Sequence, residues 1–463
     1  MRAQPPSLRG SAGRAATFLR SLSSPGTVVL AAALPVLFLH VDFQPKLTLA
    51  LGGDEAEVAL SDVAVLVVAL AALHAGRRLG FAPLRRGIWP FAAGAVLLTL
   101  IAVGTVQPVL LDRDYAFLDH ALTAAKFAEY SLLALAVPLL VRTRRDLQLV
   151  LGVLIAWTAA AALVAVLQFF GVVREFEGYR PGQREPSFVG LHDLAALAGA
   201  STSIGLVSIA LGPVAGLRRA LLWTATVAGA VGVVLSGALA GFLGVAAAAL
   251  AAGLVAQRRR VLDLAKVGGL VAVVAVIGAG VLTLRAANIG SFLRFLGIEQ
   301  PEEEETFGGE SYVQRLALGY LGVRIFLDHP ALGVGWQATS EEWTYAPYLD
   351  DTRRRYPNLP EEALPSPRHP WGIQNGYLQA AAELGVAGGA AFLAVLLVPL
   401  ALAWRAATRA RETAADAALP LLWLLVTMGI WLGLGVVAGI PTLALQWLAV
   451  GLAAAAAGWH ADG

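Results

Sequence analysis

The 463-residue chain contains no cysteine, and that absence excludes disulfide staples, thiolate metal sites and a cysteine nucleophile, while leaving the redox compartment unreadable. It is also poor in charge, with 14% Asp, Glu, Lys and Arg against 57% hydrophobic residues. A soluble domain carries about 25% charged and about 45–50% apolar residues, so the deficit points to a polytopic membrane protein. The net charge is only +2, from 34 basic and 32 acidic residues, too nearly balanced to suggest nucleic acid as a partner. No phosphate-cradling P-loop, HExxH zinc motif or GxSxG elbow occurs, so the chain cannot by itself be a nucleotide-driven pump.

What the sequence has in abundance is long apolar runs. A bilayer core about 30 Å thick takes roughly 20 apolar residues per helix, and twelve such runs occur, near 26–41, 58–75, 88–107, 117–141, 147–171, 188–211, 217–235, 237–256, 262–284, 376–404, 417–438 and 441–458. The predicted fold is all-α: a polytopic integral membrane protein of about twelve transmembrane helices. The tightest joints fall at Leu235-Ser236-Gly237 and Gly439-Ile440-Pro441. The first run follows Arg2, Arg9, Arg14 and Arg20, but no persuasive small-residue cleavage site precedes the next span, so it reads as a retained helix.

Orientation follows from the basic residues. With the N-terminus in the cytoplasm, 20 Lys and Arg fall inside and 13 outside, and Lys126 lies within a span. Eight of the outer thirteen belong to the single segment from Arg285 to Asn375, and long segments translocate largely regardless of charge. Both termini then face the cytoplasm. The chain divides into a membrane part over 1–284, a large extracytoplasmic loop between the ninth and tenth helices over 285–375, and a second membrane part over 376–463.

That loop, with 13 acids and 8 arginines, is far longer than an ordinary connection, and such loops are generally functional. Within it, Ser311 to Asp328 reads as a helix stopped by His329-Pro330. The stretch from Trp336 to Trp371, rich in Trp, Tyr and Pro, is expected to pack on the outer membrane face instead of forming an independent domain.

Three patches carry polar residues where a membrane protein ordinarily avoids them. The first runs from Arg174 through Arg180 and Arg184 to Glu185 and on into His192-Asp193 at the mouth of the sixth span. Guanidinium forks match phosphate oxygens and stay charged at any working pH. The alternative is a set of solvated charges paired with neighbouring Glu residues. The second is the loop helix with Arg315 and Arg324. Nine residues apart, they lie on opposite helix faces, and Arg324 has Asp328 four residues on as a surface partner, so Arg315 is the better anion ligand. The third runs from Arg368-His369 to Gln374-Asn375 and Tyr377, then Gln379 and Glu383, where Asn375, Gln379 and Glu383 share one helical face. A polar stripe there suits a substrate entering sideways from lipid, or ordinary interhelical hydrogen bonding. Lys126 and Glu129, three apart, read as an intramembrane ion pair, and Glu302 to Glu305 as a solvated acidic run.

Asp328-His329-Pro330-Ala331-Leu332-Gly333-Val334-Gly335, then Gln374-Asn375-Gly376-Tyr377-Leu378-Gln379 and Glu383-Leu384-Gly385-Val386-Ala387-Gly388, resemble the paired signatures of the O-antigen ligase and polymerase family of bacterial envelope glycosyltransferases. The resemblance extends to the number of spans and the large loop before the last three. It implies a GT-C-like fold and transfer of a glycan from an undecaprenyl-diphosphate carrier to a glycan, lipid or protein acceptor. It implies no cofactor, no nucleotide and no obligatory metal, with membrane lipids as the surroundings and no nucleic acid as partner. Arg180, Arg184 and Arg315 become the diphosphate candidates, with Arg324 and Tyr377 beside them. The departure is at Gln374, where the family carries a His, and an amide cannot take up a proton at neutral pH. Expected catalytic residues are thus His369 as the substitute base, Gln374, Asn375, and His192 with Asp193. A repeat-unit polymerase is the alternative within the family; a polytopic transporter or flippase is the alternative outside it, against which stands the absence of two related six-span halves.

Overall fold

The computed structural model describes residues 24–51, 54–286, 312–357, 359, 361–410, 414–433 and 444–458. Arg2 to Arg20, Glu302 to Glu305, Arg411 and the Gly439-Ile440-Pro441 joint lie outside those residues. The protein is nearly all helical, at 77% helix. In chain order the apolar helices are α1 (Pro25–Leu37), α2 (Leu60–Leu79), α3 (Ile88–Leu110), α4 (Phe117–Leu140), α5 (Arg144–Phe169), α6 (Leu191–Leu211), α7 (Arg219–Ser236), α8 (Leu239–Arg258) and α9 (Leu264–Leu284). The loop contributes α10 (Tyr312–Asp328) and α11 (Glu342–Arg355), and the chain continues through α12 (Gly376–Arg409), α13 (Ala414–Leu432) and α14 (Ala444–Ala456). Ten of the apolar helices are long and apolar enough to cross a membrane, whereas α1 and α14 are shorter. This is the polytopic architecture expected from the apolar runs.

One element departs from the all-α expectation. Between α1 and α2 the backbone forms an antiparallel hairpin, Lys46–Leu51 paired with Asp54–Ala59 and Lys46 opposite Ala59. Thr48 and Val58 give it some β-branched character, but the run is too short to stand out beside the apolar helices.

The ends of the apolar helices gather at two poles: the Arg142 guanidinium donates to the carbonyls of Leu79 (3.2 Å) and Gly80 (3.0 Å), and that of Arg259 to Ala407 C=O (3.4 Å), so joints far apart in the chain meet. At one pole lie the basic joints: Arg77 and Arg78, Arg142, Arg144 and Arg145, Arg218 and Arg219, and Arg258 to Arg260. At the other lie the starts of α6, α8 and α12, the ends of α7, α9 and α13, and the long loop. Asp146 anchors α1 at the basic pole, accepting from Ser24 N–H (3.2 Å) and Thr27 Oγ1 (3.0 Å).

Burial separates the centre of the bundle from its lipid-facing rim. Most of the apolar stretch of α6 and of α13 is buried, whereas most of that of α9 is exposed. The central helices approach closely because small residues line their contacts: a Cβ on Gly429 would lie 2.6 Å from Gly244 Cα, the small-residue packing of membrane bundles. The indole of Trp423 on α13 donates to Ala200 C=O on α6 (3.0 Å).

The loop is stitched to the bundle at its loop pole. Trp336 is fully buried, its N–H donates to Gly104 C=O (3.0 Å), and its own carbonyl accepts from Tyr115 Oη (2.6 Å). Leu321, Ile325, Tyr345, Tyr348 and Ile373 form a small core that closes on Ala382 of α12. The loop therefore packs against the membrane helices without a core wholly its own.

Candidate active site at the loop pole

The two signature segments meet as a clasp. Val334 and Gly335 N–H donate to the carbonyls of Ala382 (3.1 Å) and Glu383 (2.9 Å), and Val386 N–H donates to Pro330 C=O (2.8 Å). The break in α12 that frees these groups is at Gly385, with φ +69°, where a Cβ would also lie 2.4 Å from Ala331 O; a left-handed, crowded position of this kind selects glycine. Glu383, fully buried, accepts from Gln337 N–H (2.8 Å), Thr339 Oγ1 (2.7 Å) and Gln379 Nε2 (2.9 Å). Gln379 and Glu383 thus serve as a fastener between α12 and the loop, not as an open stripe toward lipid.

The clasp holds α10 over the starts of α6, α8 and α12, enclosing a cavity of about 890 Å³ whose lining includes Arg184, His192, Arg285, Arg315, Gln374 and Asn375. These six come from segments nearly two hundred residues apart in the chain, about the span from Arg184 to Asn375. Arg184 reaches the cavity across the α7–α8 joint, its stem lying over Gly237, where a Cβ would meet Arg184 Cγ at 2.5 Å. Gly237 has φ +58°, so both its conformation and the arginine above it require glycine. The Arg184 guanidinium sits 4.7 Å from the centre of the Tyr179 ring. Arg285, at the end of α9, is buried.

The amides have a defined polarity. Asn375 Oδ1 caps α12, accepting from Tyr377 and Leu378 N–H at 3.1 Å each. Gln374 Oε1 accepts from Arg315 Nε (3.3 Å). With both carbonyl oxygens engaged, each side chain has its NH₂ group to offer a ligand, so Gln374 and Asn375 act as donors to oxygen atoms. Among the described lining residues, His192 is the side chain whose ordinary pKa allows proton uptake near neutrality.

Other residues expected from sequence stand elsewhere. Arg180 and His369 are exposed and do not line the cavity. His369 stacks on Trp371, ring centres 5.9 Å apart and 7° from parallel. Arg324 pairs with Asp351 (Nε to Oδ2, 3.7 Å), not with Asp328, which accepts from Tyr348 Oη (2.8 Å). Tyr377 lies edge-on against Phe392 at 5.5 Å, and Asp193 is one residue behind the cavity wall. Lys126 reaches Asp62 on α2 (3.5 Å) instead of Glu129. The acidic run Glu302 to Glu305 is outside the described residues.

Sequence reasoning passed over Arg285, Tyr320 and Tyr356, which also line the cavity. Arg285 carried a signal, since an arginine ending an apolar run at the loop pole is either a snorkelling anchor or a site residue. Glu185, which the sequence placed in the first polar patch, is buried, and neither of its carboxyl oxygens is hydrogen-bonded. Burial, with Glu175 adding like charge, pushes it up to about 7. Among the described residues, no group of three or more His, Asp or Glu is placed to hold a metal ion.

Residues 224–393 match the family model described as O-Antigen ligase, the family that the sequence motifs resemble. The match supports a multi-pass membrane glycosyltransferase of the O-antigen ligase and polymerase type. The matched segment carries Arg285, Arg315, Gln374 and Asn375, while Arg184 and His192 lie before it. No curated protein matches the chain.

Proposed function

We propose, from the O-antigen ligase match over residues 224–393 as premise, that this protein transfers a glycan from an undecaprenyl-diphosphate carrier to an acceptor hydroxyl. The observation that carries the proposal is the convergence of Arg184, Arg285 and Arg315 with His192, Gln374 and Asn375 on one cavity. On this proposal the basic joints at the opposite pole face the cytoplasm, in keeping with the positive-inside rule, and the cavity opens at the outer face of the inner membrane. A cavity at one pole favours transfer over transport, for which a midplane site between repeats is the usual arrangement.

In the reaction the acceptor oxygen attacks the anomeric carbon, the bond from that carbon to the carrier's phosphate oxygen breaks, and its electron pair leaves on the diphosphate. The growing negative charge meets fixed guanidinium groups and the amide donors of Gln374 and Asn375, which need little reorganisation as the charge develops. Three arginines supply the charge that a divalent cation supplies in other enzymes, and the reaction is metal-independent on this proposal. The acceptor's proton passes to His192. Gln374, at the position where the family pattern that the motifs resemble has His, is a leaving-group donor held by Arg315.

The test is deletion followed by analysis of carrier-linked glycan. Finished chains accumulating on the carrier support ligation. Accumulated single repeat units turn the assignment to the polymerase branch, and an unchanged pool overturns both.

A further inference from the structure

Three aromatic residues from three separate parts of the loop, Tyr320 on α10, Tyr356 just after α11 and Trp371 before α12, line the same cavity as the arginines. The polar handles of two of them are already engaged. Tyr320 Oη donates to Asp351 Oδ2 (2.6 Å), and Trp371 Nε1 donates to Glu362 C=O (2.9 Å). With these handles engaged, Tyr320 and Trp371 meet a ligand in the cavity through ring surface. Trp371 is held further by His369 stacked against it, and His369 itself is outside the cavity. Tyr320 and Tyr356 stand edge to face, centres 6.0 Å apart and planes at 76°.

Their placement along α10 is regular. Arg315, Gly319, Tyr320 and Val323 all line the cavity, one helical face at spacings of four, one and three residues. From Arg315 to Tyr320 the axial advance is about 7.5 Å at 1.5 Å per residue, on the scale of one pyranose ring. Between them, Gly319 leaves room: an added Cβ would meet no heavy atom within 4 Å.

A sugar ring carries C–H groups on a face that is apolar and slightly positive, and it complements the negative face of an aromatic ring. We infer that Tyr320, Tyr356 and Trp371 form a stacking subsite for the first sugar of the carrier-linked glycan, adjoining the diphosphate held by Arg184, Arg285 and Arg315, with Gly319 as the gap that admits its ring. This rests on the proposed transfer reaction and names the part of the cavity that recognises the sugar.

The experiment uses the full-length protein in detergent and two probes, farnesyl diphosphate and farnesyl diphosphate bearing one N-acetylhexosamine, with dissociation constants measured by calorimetry. The wild type binds the sugar-bearing probe more tightly. Trp371→Ala and Tyr356→Leu each reduce that preference about tenfold, the change expected from losing one aromatic contact, and leave the affinity for farnesyl diphosphate alone within about twofold. Trp371→Phe restores most of the preference. Gly319→Leu suits the helix and meets open space, so it keeps the melting temperature and loses the preference. Equal weakening of both probes, an undiminished preference in these variants, or no preference in the wild type overturns the subsite. If instead Arg315→Ala and Arg184→Ala leave farnesyl diphosphate binding unchanged, the diphosphate reading itself fails, on a probe that has no sugar for the aromatic residues to touch.

Discussion

Arg315 donates from Nε to Oε1 of Gln374 at 3.3 Å. That bond ties the loop helix α10 to the residue preceding the Asn375 cap of α12, and it turns the amide's NH₂ group into the part a ligand can use. It joins two residues 59 positions apart into one anion-facing unit.

Arg315→Ala is expected to lower kcat/KM for glycan transfer by about 10²–10³, the loss typical of removing one fixed donor from a developing anion. Arg315→Lys keeps the charge but not the planar fork, and loses tenfold or more on the order of the same scale. Arg324→Ala, which removes an exposed partner of Asp351, stays within a few-fold. Steady-state assays with a carrier-linked glycan check all three.

His192→Ala is expected to cost about 10²–10⁴ in kcat, the range for loss of a general base. His369→Ala costs at most a few-fold, because this side chain is exposed, does not line the cavity and stacks on Trp371. Measuring both variants across pH separates them: the acid limb of the rate profile disappears with His192 and persists without His369. A large loss in His369→Ala together with a normal His192→Ala would reverse the assignment.

Glu383→Ala leaves Gln337 N–H, Thr339 Oγ1 and Gln379 Nε2 without their common acceptor. Stranding buried donors costs about 1–3 kcal/mol each, so the variant is expected to melt well below wild type in detergent and to expose the loop to protease. Glu383→Gln supplies one acceptor oxygen in place of two and falls between.

Glu185 has its carboxyl pushed up to about 7 by burial and by Glu175. The folded protein therefore holds a proton that the unfolded chain releases at the ordinary carboxylate pKa. Between those two values the folded state binds more protons, so stability falls as pH rises through the window up to about 7. Glu185→Gln is expected to raise the melting temperature at pH 7.5 and to flatten its dependence on pH across that window. A melting temperature that rises with pH in the wild type contradicts the assignment.

The apolar runs made the helices legible because a membrane span is a local property: about 20 apolar residues are needed wherever the span lies in the chain. The helix over Tyr312–Asp328 was legible for a similar reason, ending where His329-Pro330 must break it. The motif glycines pointed to the right neighbourhood but for another purpose. Gly333 and Gly385 permit the backbone contact of the clasp, and Glu383 fastens it, so part of the signature builds the site without entering it.

The sequence by itself determined the helical membrane fold, the separation of the basic joints from the loop, and the short list of arginines and amides, since composition and spacing act over a few turns of chain. Only the tertiary structure decided which of them meet. Arg184, Arg285 and Arg315 share a cavity because Gly237 lets one arginine cross a helix joint, α9 ends at another, and the clasp at Gly385 lays α10 over both. Arg180 and His369, equally good by residue type, stay exposed, because side-chain chemistry sets what a residue can do and packing sets what it can reach.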